Sequence, residues 1–270
     1  MLQAPAIAAA AVRTANTSSP RVDSTPALRA EGLVKRYGTR RALDGAGLEI
    51  GAGATAGLIG ANGAGKTTFI KCALDLCAPE AGRVAIFGID SRQAIARARL
   101  AYLPERFVPP HYLLGREFLA MTLALAGANF DAARAAALAA ELELEPQALQ
   151  RPVRQLSKGM TQKLGLAACF LQDRDLYVLD EPMSGLDPAG RLAVKSVLTR
   201  LKQGGRALFF TSHVLSDVEE LCSTIAVLDH GRLRFCGAPA ELRERYGEDN
   251  LERAFLNCIR SDADGPAIRA

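Results

Sequence analysis

The sequence predicts an α/β fold, and three observations support this fold class. Short apolar runs separated by turns, such as "ATAGLIG", recur along the chain and are typical of strands. Two later runs, "DLYVLDE" and "RALFFTSH", are apolar almost throughout, as expected for strands covered on both faces, and a helical pattern follows each. With 270 residues, 49% of them hydrophobic, the chain can bury the core that such a fold needs.

The first elements of the fold are strands. "ALRAEGLVKRY" and "ALDGAGLEI" are the first two candidates, and "ATAGLIG" then runs directly into the glycine-rich stretch "GANGAGKTT". An apolar-periodic segment from Thr67 to about Leu76 follows, so the pattern predicts a strand, a glycine loop and a helix in succession. "GRVAIFG" and "RLAYLPE" supply two further strands.

An insert with a helical pattern separates these strands from the later ones. It spans about residues 113–171 and includes the alanine-rich stretch "DAARAAALAAELEL". After the two buried strands, "STIAVLDHGRLRFCG" predicts a hairpin that turns at His230 and Gly231. "PAELRERYGEDNLERAFLNCI" then predicts closing helices.

The two ends of the sequence are expected to lie outside the fold. Residues 1–26 are rich in Ala, Ser, Thr and Pro and have no acid before Asp23, which favours a disordered extension over an organelle transit peptide. Residues 27–260 form the predicted domain, and residues 261–270 form a short tail.

The composition argues against several functions. The formal charge is +4, from 33 basic and 29 acidic residues that are dispersed along the chain, so no nucleic-acid partner is expected, while mild attraction to an anionic membrane stays open. The six cysteines form no CxxC pair, which favours reduced thiols in a cytosolic protein over a zinc site. The longest apolar stretch falls short of the roughly 20 residues that a bilayer requires, so any membrane role needs another chain.

The segment Gly60–Thr67, "GANGAGKT", has the spacing of a phosphate-binding loop in its expected context between a strand and a helix. Its glycines let backbone N–H groups converge on phosphate oxygens, Lys66 can reach the β- and γ-phosphates, and the Thr67 hydroxyl can hold Mg²⁺. A glycine turn with a chance lysine is the disfavoured alternative. The candidate nucleotide ligands here are Gly60, Asn62, Gly63, Ala64, Gly65, Lys66, Thr67 and Thr68.

Two adjacent acids end the buried strand "LYVLDEP". Alternation along a strand sends neighbouring side chains to opposite sides, so Asp180 can support Mg²⁺ while Glu181 faces an attacking water. His213 ends the strand in "ALFFTSH", at the sheet edge where open α/β sheets place their chemistry. A solvated cap for the acids and a surface position for the histidine are the structural alternatives.

The stretch "QLSKGMTQK" predicts a second anion-binding helix start. Ser157 is suited to cap the helix, and Gly159 lets backbone N–H groups approach an anion. An ordinary capped helix is the alternative interpretation. The turn "SGLDP", which includes Ser184 and Asp187, likewise precedes a helix with proline in its first turn.

In this order, the motifs resemble the nucleotide-binding subunit of ABC transporters over residues 27–260. The resemblance implies a P-loop NTPase with a RecA-like core, an antiparallel β subdomain and an inserted α-helical subdomain at about 113–171. It also implies that Tyr37 stacks on adenine. Asp180, Glu181 and His213 match the family's Mg²⁺ aspartate, catalytic glutamate and switch histidine.

The segment Ser157–Met160 is similar to the family's signature motif, with Lys158 and Met160 in place of Gly and Gln. In the family this segment closes on the γ-phosphate held by the other protomer, which implies a two-fold dimer. Glu105 occupies the place of the family's Mg²⁺-coordinating Gln, so the resemblance implies a metal ligand there, but one that adds a charge which Gln lacks. "YLPE", "SKGM" and the closing helices are most similar to export-type systems.

The resemblance implies a function. The chain would bind and hydrolyse ATP with Mg²⁺ as one of two identical copies that drive a separate transmembrane permease from the cytoplasmic side of the membrane. A soluble ABC ATPase acting on ribosomes or DNA is the main alternative, although the chain has neither a second ATPase unit nor a long coiled coil. A small-molecule P-loop kinase is a further alternative that leaves Ser157–Met160 unexplained.

Overall fold

A computed structural model describes residues 25–261 of the chain, so the expectations for residues 1–24 and 262–270 lie outside the described part. Within it, the strands are β1 Leu28–Tyr37, β2 Arg40–Ile50, β3 Thr55–Ile59, β4 Ala81–Ile86, β5 Ile89–Asp90, β6 Leu100–Leu103, β7 Leu176–Leu179, β8 Ala207–Ser212, β9 Thr224–Asp229 and β10 Arg232–Gly237. The helices are α1 Lys66–Ala73, α2 Gly115–Leu125, α3 Ala132–Glu141, α4 Lys158–Phe170, α5 Pro188–Gln203, α6 Leu215–Leu221, α7 Pro239–Tyr246 and α8 Leu251–Arg260. Short 3₁₀ turns lie at Ala94–Arg99, Pro146–Gln150 and Val153–Gln155.

Two sheets organise the strands. The first is antiparallel, with the order β2-β1-β4-β5. The second has the order β10-β9-β3-β8-β7-β6, in which β9, β3, β8, β7 and β6 run parallel and only β10 is antiparallel to its neighbour. The parallel strands therefore end at a common edge, and the loops that follow them meet there.

The parallel sheet has a buried layer on each face. Along β7 the side chains alternate between the two: Leu176 and Val178 join the core under the antiparallel sheet and α1, while Tyr177 and Leu179 join the core against the helical insert and α5. This double coverage explains why β7 and β8 are apolar without a polar alternation. The expectation of strands covered on both faces is confirmed.

The segment between β6 and β7 carries α2, α3 and α4, as the helical pattern predicted. The helix α4 packs against both α2 and α3 and also against β6, so it connects the insert to the parallel sheet. Whether residues 113–171 behave as a separate subdomain stays a prediction. Within residues 25–261, none of the helices has both the length and the apolar character needed to cross a bilayer.

Most local predictions are confirmed, with one difference. The hairpin β9–β10 turns at His230 and Gly231, which both have positive φ, as tight hairpin turns with right-handed twist require. The helix α1 ends at Ala73, earlier than the expected Leu76. The reason is local: the carbonyl of Lys71 accepts hydrogen bonds from the N–H groups of Leu76 and Cys77, which closes the helix around Asp75 at φ 58.

Candidate nucleotide-binding site

The predicted site residues follow neighbouring strands at the carboxyl edge of the parallel sheet. The glycine loop follows β3, His213 follows β8, and Asp180 and Glu181 follow β7, and these three strands are adjacent in the order β3-β8-β7. Residues far apart in sequence thus meet at one place. They line a cleft of about 710 Å³.

The lining of this cleft includes most of the predicted residues. Tyr37, Glu105 and Ser184 line it together with the loop and the strand ends. The residues that line the cleft are Tyr37, Arg40, Ala42, Ile59, Gly60, Ala61, Asn62, Gly63, Gly65, Lys66, Thr67, Thr68, Glu105, Asp180, Glu181, Ser184, Ser212, His213, Leu215 and Phe255. Ala64 does not line the cleft: it is buried, and its carbonyl accepts a hydrogen bond from the N–H of Gly231, so it anchors the loop to the β9–β10 turn.

The glycine loop is shaped so that α1 begins at the cleft. Gly65 has φ 115, and a Cβ there would lie 2.5 Å from the carbonyl oxygen of Ala42, so this position requires glycine. Among the described residues no side chain caps the start of α1. The ammonium of Lys66 donates instead to the carbonyls of Gly60 at 2.8 Å and Ala61 at 3.3 Å, which holds this cation within its own loop.

Thr211, on β8, connects the two acids that end β7. Its hydroxyl donates to Oδ1 of Asp180 at 2.6 Å and accepts from the backbone N–H of Glu181 at 2.8 Å. Asp180 is 1% exposed, and this burial raises the pKa of its carboxyl, with Thr211 and Thr67 opposing the shift through hydrogen bonds. The hydroxyl therefore fixes both acids relative to β8.

Glu181 and His213 contact each other across the edge of the sheet. Nδ1 of the imidazole lies 2.7 Å from Oε2 of the carboxylate, and because an ionised carboxylate only accepts, the imidazole donates. The Glu181 side chain is 12% exposed while that of His213 is 60% exposed. A carboxylate oriented in this way can accept a proton from a water in the cleft, and the exposed imidazole can respond to what binds there.

The Asp180 carboxylate also has a free coordination position. Its Oδ2 is buried and has no hydrogen-bond partner in the described part of the chain, while the Thr67 hydroxyl interacts with the same carboxylate. Within residues 25–261 there is no cluster of three or more His, Cys, Asp or Glu side chains arranged around a metal position. Magnesium commonly takes one or two protein oxygens together with water and substrate phosphates, so this donor set fits it.

Tyr37 closes β1 and lines the same cleft as the acids. Its side chain is half exposed, and its hydroxyl approaches the sulfur of Cys77 at 3.7 Å. The ring is thus half exposed at the cleft, with the ammonium of Lys35 over it at 5.5 Å from the ring centroid.

The segment Ser157–Met160 is outside the cleft. Ser157 caps α4, as predicted, because its Oγ accepts from the N–H of Met160 at 3.2 Å. The neighbouring turn contacts this helix start: a Cβ on Gly159 would lie 3.3 Å from the carbonyl of Gly185. The single chain therefore does not bring its own signature-like segment to its glycine loop.

Several residues at the site were missed from the sequence, and three of them make contacts that bear on its chemistry. Arg40 and Phe255 line the cleft, and Thr211 organises the acids. A signal existed for Arg40, because continuing the β1–β2 hairpin pairs it with Tyr37. Thr211 and Phe255 lie in a predicted strand and a predicted helix, but no local pattern assigns them to the site, which they reach through the packing of β8 and α8.

A parallel sheet with a glycine loop between β3 and α1 defines a P-loop nucleotide-binding protein. The comparison with protein-family models places it further: the model described as ABC transporter matches residues 43–184, more than half of the chain. The chain belongs to the ABC transporter family and carries its ATP-binding domain.

Relatives agree with this assignment. An uncharacterized ABC transporter ATP-binding protein of Nostoc sp. is 38% identical over 74% of this chain, which spans only 61% of that relative's length. The daunorubicin resistance ATP-binding protein DrrA3 of Streptomyces coeruleorubidus is 36% identical over 84% of this chain and 72% of its own. The Nod factor export ATP-binding protein I of Ralstonia nicotianae is 34% identical over 85% of this chain and 75% of its own.

A solved structure described as the ATP binding subunit of an ABC transporter has the same fold. It matches with a TM-score of 0.75 and 28% identity, covering 86% of this chain and 98% of that chain.

Proposed function

We propose that two copies of this chain bind two ATP molecules between them and drive a separate transmembrane permease, most simply an exporter. The observation that carries the proposal is the separation described above. The glycine loop, the acids and His213 share one cleft, whereas the capped helix start at Ser157 lies outside it. A second copy that turns its Ser157 segment toward the cleft completes the site.

Each residue of the cleft has a role in this proposal. Tyr37 stacks on adenine, and the loop from Gly60 to Thr68 binds the phosphates. Glu181 orients and polarises the attacking water, and His213 holds the Glu181 carboxylate and senses the γ-phosphate. Such chemistry depends on positioning and charge neutralisation rather than on a covalent nucleophile.

Magnesium would be held by Asp180 and Thr67, with Glu105 beside them. The unpartnered Oδ2 of Asp180 supports this assignment. When bound, the ion neutralises charge on the β- and γ-phosphates. Glu105 lines the same cleft, and its charge raises the pKa of Asp180 further. A cation bound between the two carboxylates would relieve their mutual repulsion.

Export is supported by the relative named for Nod factor export. The relative named for daunorubicin resistance is similar to about the same degree, 36% against 34%, so sequence identity does not select a cargo. Cargo contacts would lie in the permease, and the chain would act at the cytoplasmic face of the membrane through that partner.

A mixing experiment tests the shared site. Lys66→Ala removes the loop cation and Ser157→Arg blocks the helix start, so each homodimer should be inactive. Mixed dimers, isolated through two affinity tags, contain one interface with both defects and one with a sound loop and a sound helix start. We expect these dimers to recover ATPase activity. In a Glu181→Gln background they should also retain one ATP per dimer, which does not depend on turnover.

The matched control places both substitutions in one chain and pairs it with the unmodified chain. Each interface then has one defect, so the shared site predicts no recovery although the number of substitutions is the same. Equal ATP retention in the two arrangements would show that loop and helix start act within a chain and would overturn the proposed dimer.

The permease is tested separately. The tagged chain, purified from detergent-solubilised membranes of its own cells, should bring a multispanning membrane protein with it, and the ATPase activity of that complex should respond to the permease. Cosedimentation with ribosomes, or binding to DNA, in place of that complex would favour the soluble alternative.

A further inference from the structure

The hairpin that carries Tyr37 also carries a cation at the same end. Tyr37 closes β1, Arg40 opens β2, and the two residues are directly paired across the strands with only Gly38 and Thr39 between them. Both side chains line the nucleotide cleft. A single tight turn therefore places an aromatic ring and a guanidinium beside the glycine loop.

The guanidinium lies directly on that loop. Nη2 of Arg40 donates to the carbonyl of Gly63 at 2.6 Å. Gly63 has φ 81, a conformation that favours glycine, and a Cβ built there would lie 2.9 Å from the same nitrogen and displace it. The hairpin is thereby fixed to the middle of the phosphate-binding loop.

The rest of the guanidinium is available to a ligand. Arginine has five N–H donors. Among the described residues, the carbonyl of Gly63 is the recorded hydrogen-bond partner of this side chain, and no carboxylate lies within ion-pair distance of it. Its neighbour Arg41 differs, because its Nη1 lies 2.5 Å from Oδ1 of Asp44. Arg40 is thus an unpaired cation at the cleft, while Arg41 is paired.

We propose that Arg40 is a further nucleotide-binding residue, whose guanidinium contacts the phosphate chain of ATP while it holds the Tyr37 hairpin against Gly63. The inference rests on the nucleotide site of the proposed function and extends it beyond the recognised motifs. The acids Glu105, Asp180 and Glu181 line the cleft too, and with Lys66 held by carbonyls of its own loop, a second permanent cation helps to balance the triphosphate.

The test compares three single substitutions by calorimetric titration with ATP and with ADP. Arg40→Met keeps the apolar stem and removes the charge, Arg40→Lys restores a charge without the fork, and Arg41→Met is the matched control. We expect Arg40→Met to weaken ATP binding about tenfold, as for loss of a charge-assisted hydrogen bond, with Arg40→Lys between it and the unmodified chain. Arg41→Met should bind ATP as the unmodified chain does.

Salt separates a phosphate contact from a purely structural one. Raising NaCl from about 50 mM to about 500 mM shortens the Debye length, so the loss caused by Arg40→Met should shrink if the guanidinium meets phosphate. The inference is overturned if Arg40→Met binds ATP normally, if its loss is the same at both salt concentrations, or if it only lowers the unfolding temperature of the ligand-free chain. Absence of ATP binding in the unmodified chain and in Arg41→Met would instead count against the nucleotide site itself.

Discussion

The helices α1 and α4 both begin where an anion can bind, but their starts are prepared differently. The start of α1 faces the cleft, has no side-chain cap in the described part of the chain, and is preceded by Gly65 in a left-handed conformation. The start of α4 is exposed and is capped by its own Ser157. The first helix leaves its N–H groups for a ligand, while the second is already stable without one.

This difference fits a division of labour between two copies. A helix start without a cap has unsatisfied N–H donors, so phosphate binding stabilises it, and it serves as the resident nucleotide site. A helix start that is capped and exposed persists in the free chain and is ready to meet a ligand delivered from outside. Ser157 caps only the N–H of Met160, which leaves the N–H groups of Lys158 and Gly159 for that ligand.

The largest expected effect comes from Glu181→Gln. This variant tests whether ATP stays bound between the start of α1 in one copy and the start of α4 in the other when hydrolysis is blocked. Removing a positioned general base should slow phosphate release at least about a hundredfold while ATP binding persists. In the presence of ATP, dimers of this variant should then accumulate, and light scattering measures their fraction. Glu105→Gln is the comparison, and it should lose far less activity, because the family has Gln at that position. Hydrolysis near the normal rate in Glu181→Gln would remove this residue from the mechanism.

The sequence predicts the start of α1, which binds the chain's own nucleotide, better than it predicts how the rest of the site is assembled. The loop before α1 has a defined glycine spacing between a strand and a helix, so its residues and their cleft follow from local pattern. The connections that complete the site are tertiary: Thr211 is 30 residues from Glu181 in sequence, and it reaches the acids because β8 lies beside β7. Phe255 arrives from α8, whose helical pattern carries no information about the cleft. The end of α1 was misjudged because backbone hydrogen bonds, not apolar periodicity, decide it.

The two helix starts can also be compared by replacing one glycine in each with alanine, Gly65 before α1 and Gly159 in the first turn of α4. In Gly65→Ala the new Cβ meets a backbone carbonyl at 2.5 Å with φ at 115, so we expect a loss of about 2 to 3 kcal/mol in stability and impaired ATP binding. Gly159 lacks a positive φ, and a Cβ there would lie 3.3 Å from the Gly185 carbonyl, a tight contact that a shift of a few tenths of an ångström in the turn relieves. Since alanine favours a helix, Gly159→Ala should change stability by less than about 1 kcal/mol. Denaturant unfolding measures both, and equal losses would contradict the assigned difference.

Tyr37 lines the cleft at the start of α1 and has no counterpart at the start of α4 among the described residues. If its exposed ring stacks on adenine, Tyr37→Ala should weaken ATP binding by about 1 to 3 kcal/mol, the range for base stacking on aromatic side chains. Tyr37→Phe should be nearly silent, since stacking uses the ring, while the hydroxyl interacts only with the side chains of Cys77 and Thr68 among the described residues. Titration with ATP measures both variants. The same loss in each would assign the effect to the hydroxyl or to packing rather than to stacking.

A small loss of stability is expected from a substitution at Ser157, at the start of α4. Its effect on ATPase activity shows whether this helix start is only capped or also binds the second nucleotide. Ser157→Ala removes the acceptor for the N–H of Met160 and should cost about 1 kcal/mol, the usual value for a lost cap. Asp131 is the matched control, because its carboxylate caps α3 by accepting from the N–H groups of Ala133 and Arg134, away from the cleft. Asp131→Ala should therefore cost a similar amount of stability and leave the ATPase activity of the isolated chain unchanged. Ser157→Ala should lower that activity as well, because the helix start that meets the neighbour's γ-phosphate has lost its hydroxyl. If the two variants lose stability equally and both keep full activity, Ser157 is a cap and nothing more, and the start of α4 does not serve the second nucleotide.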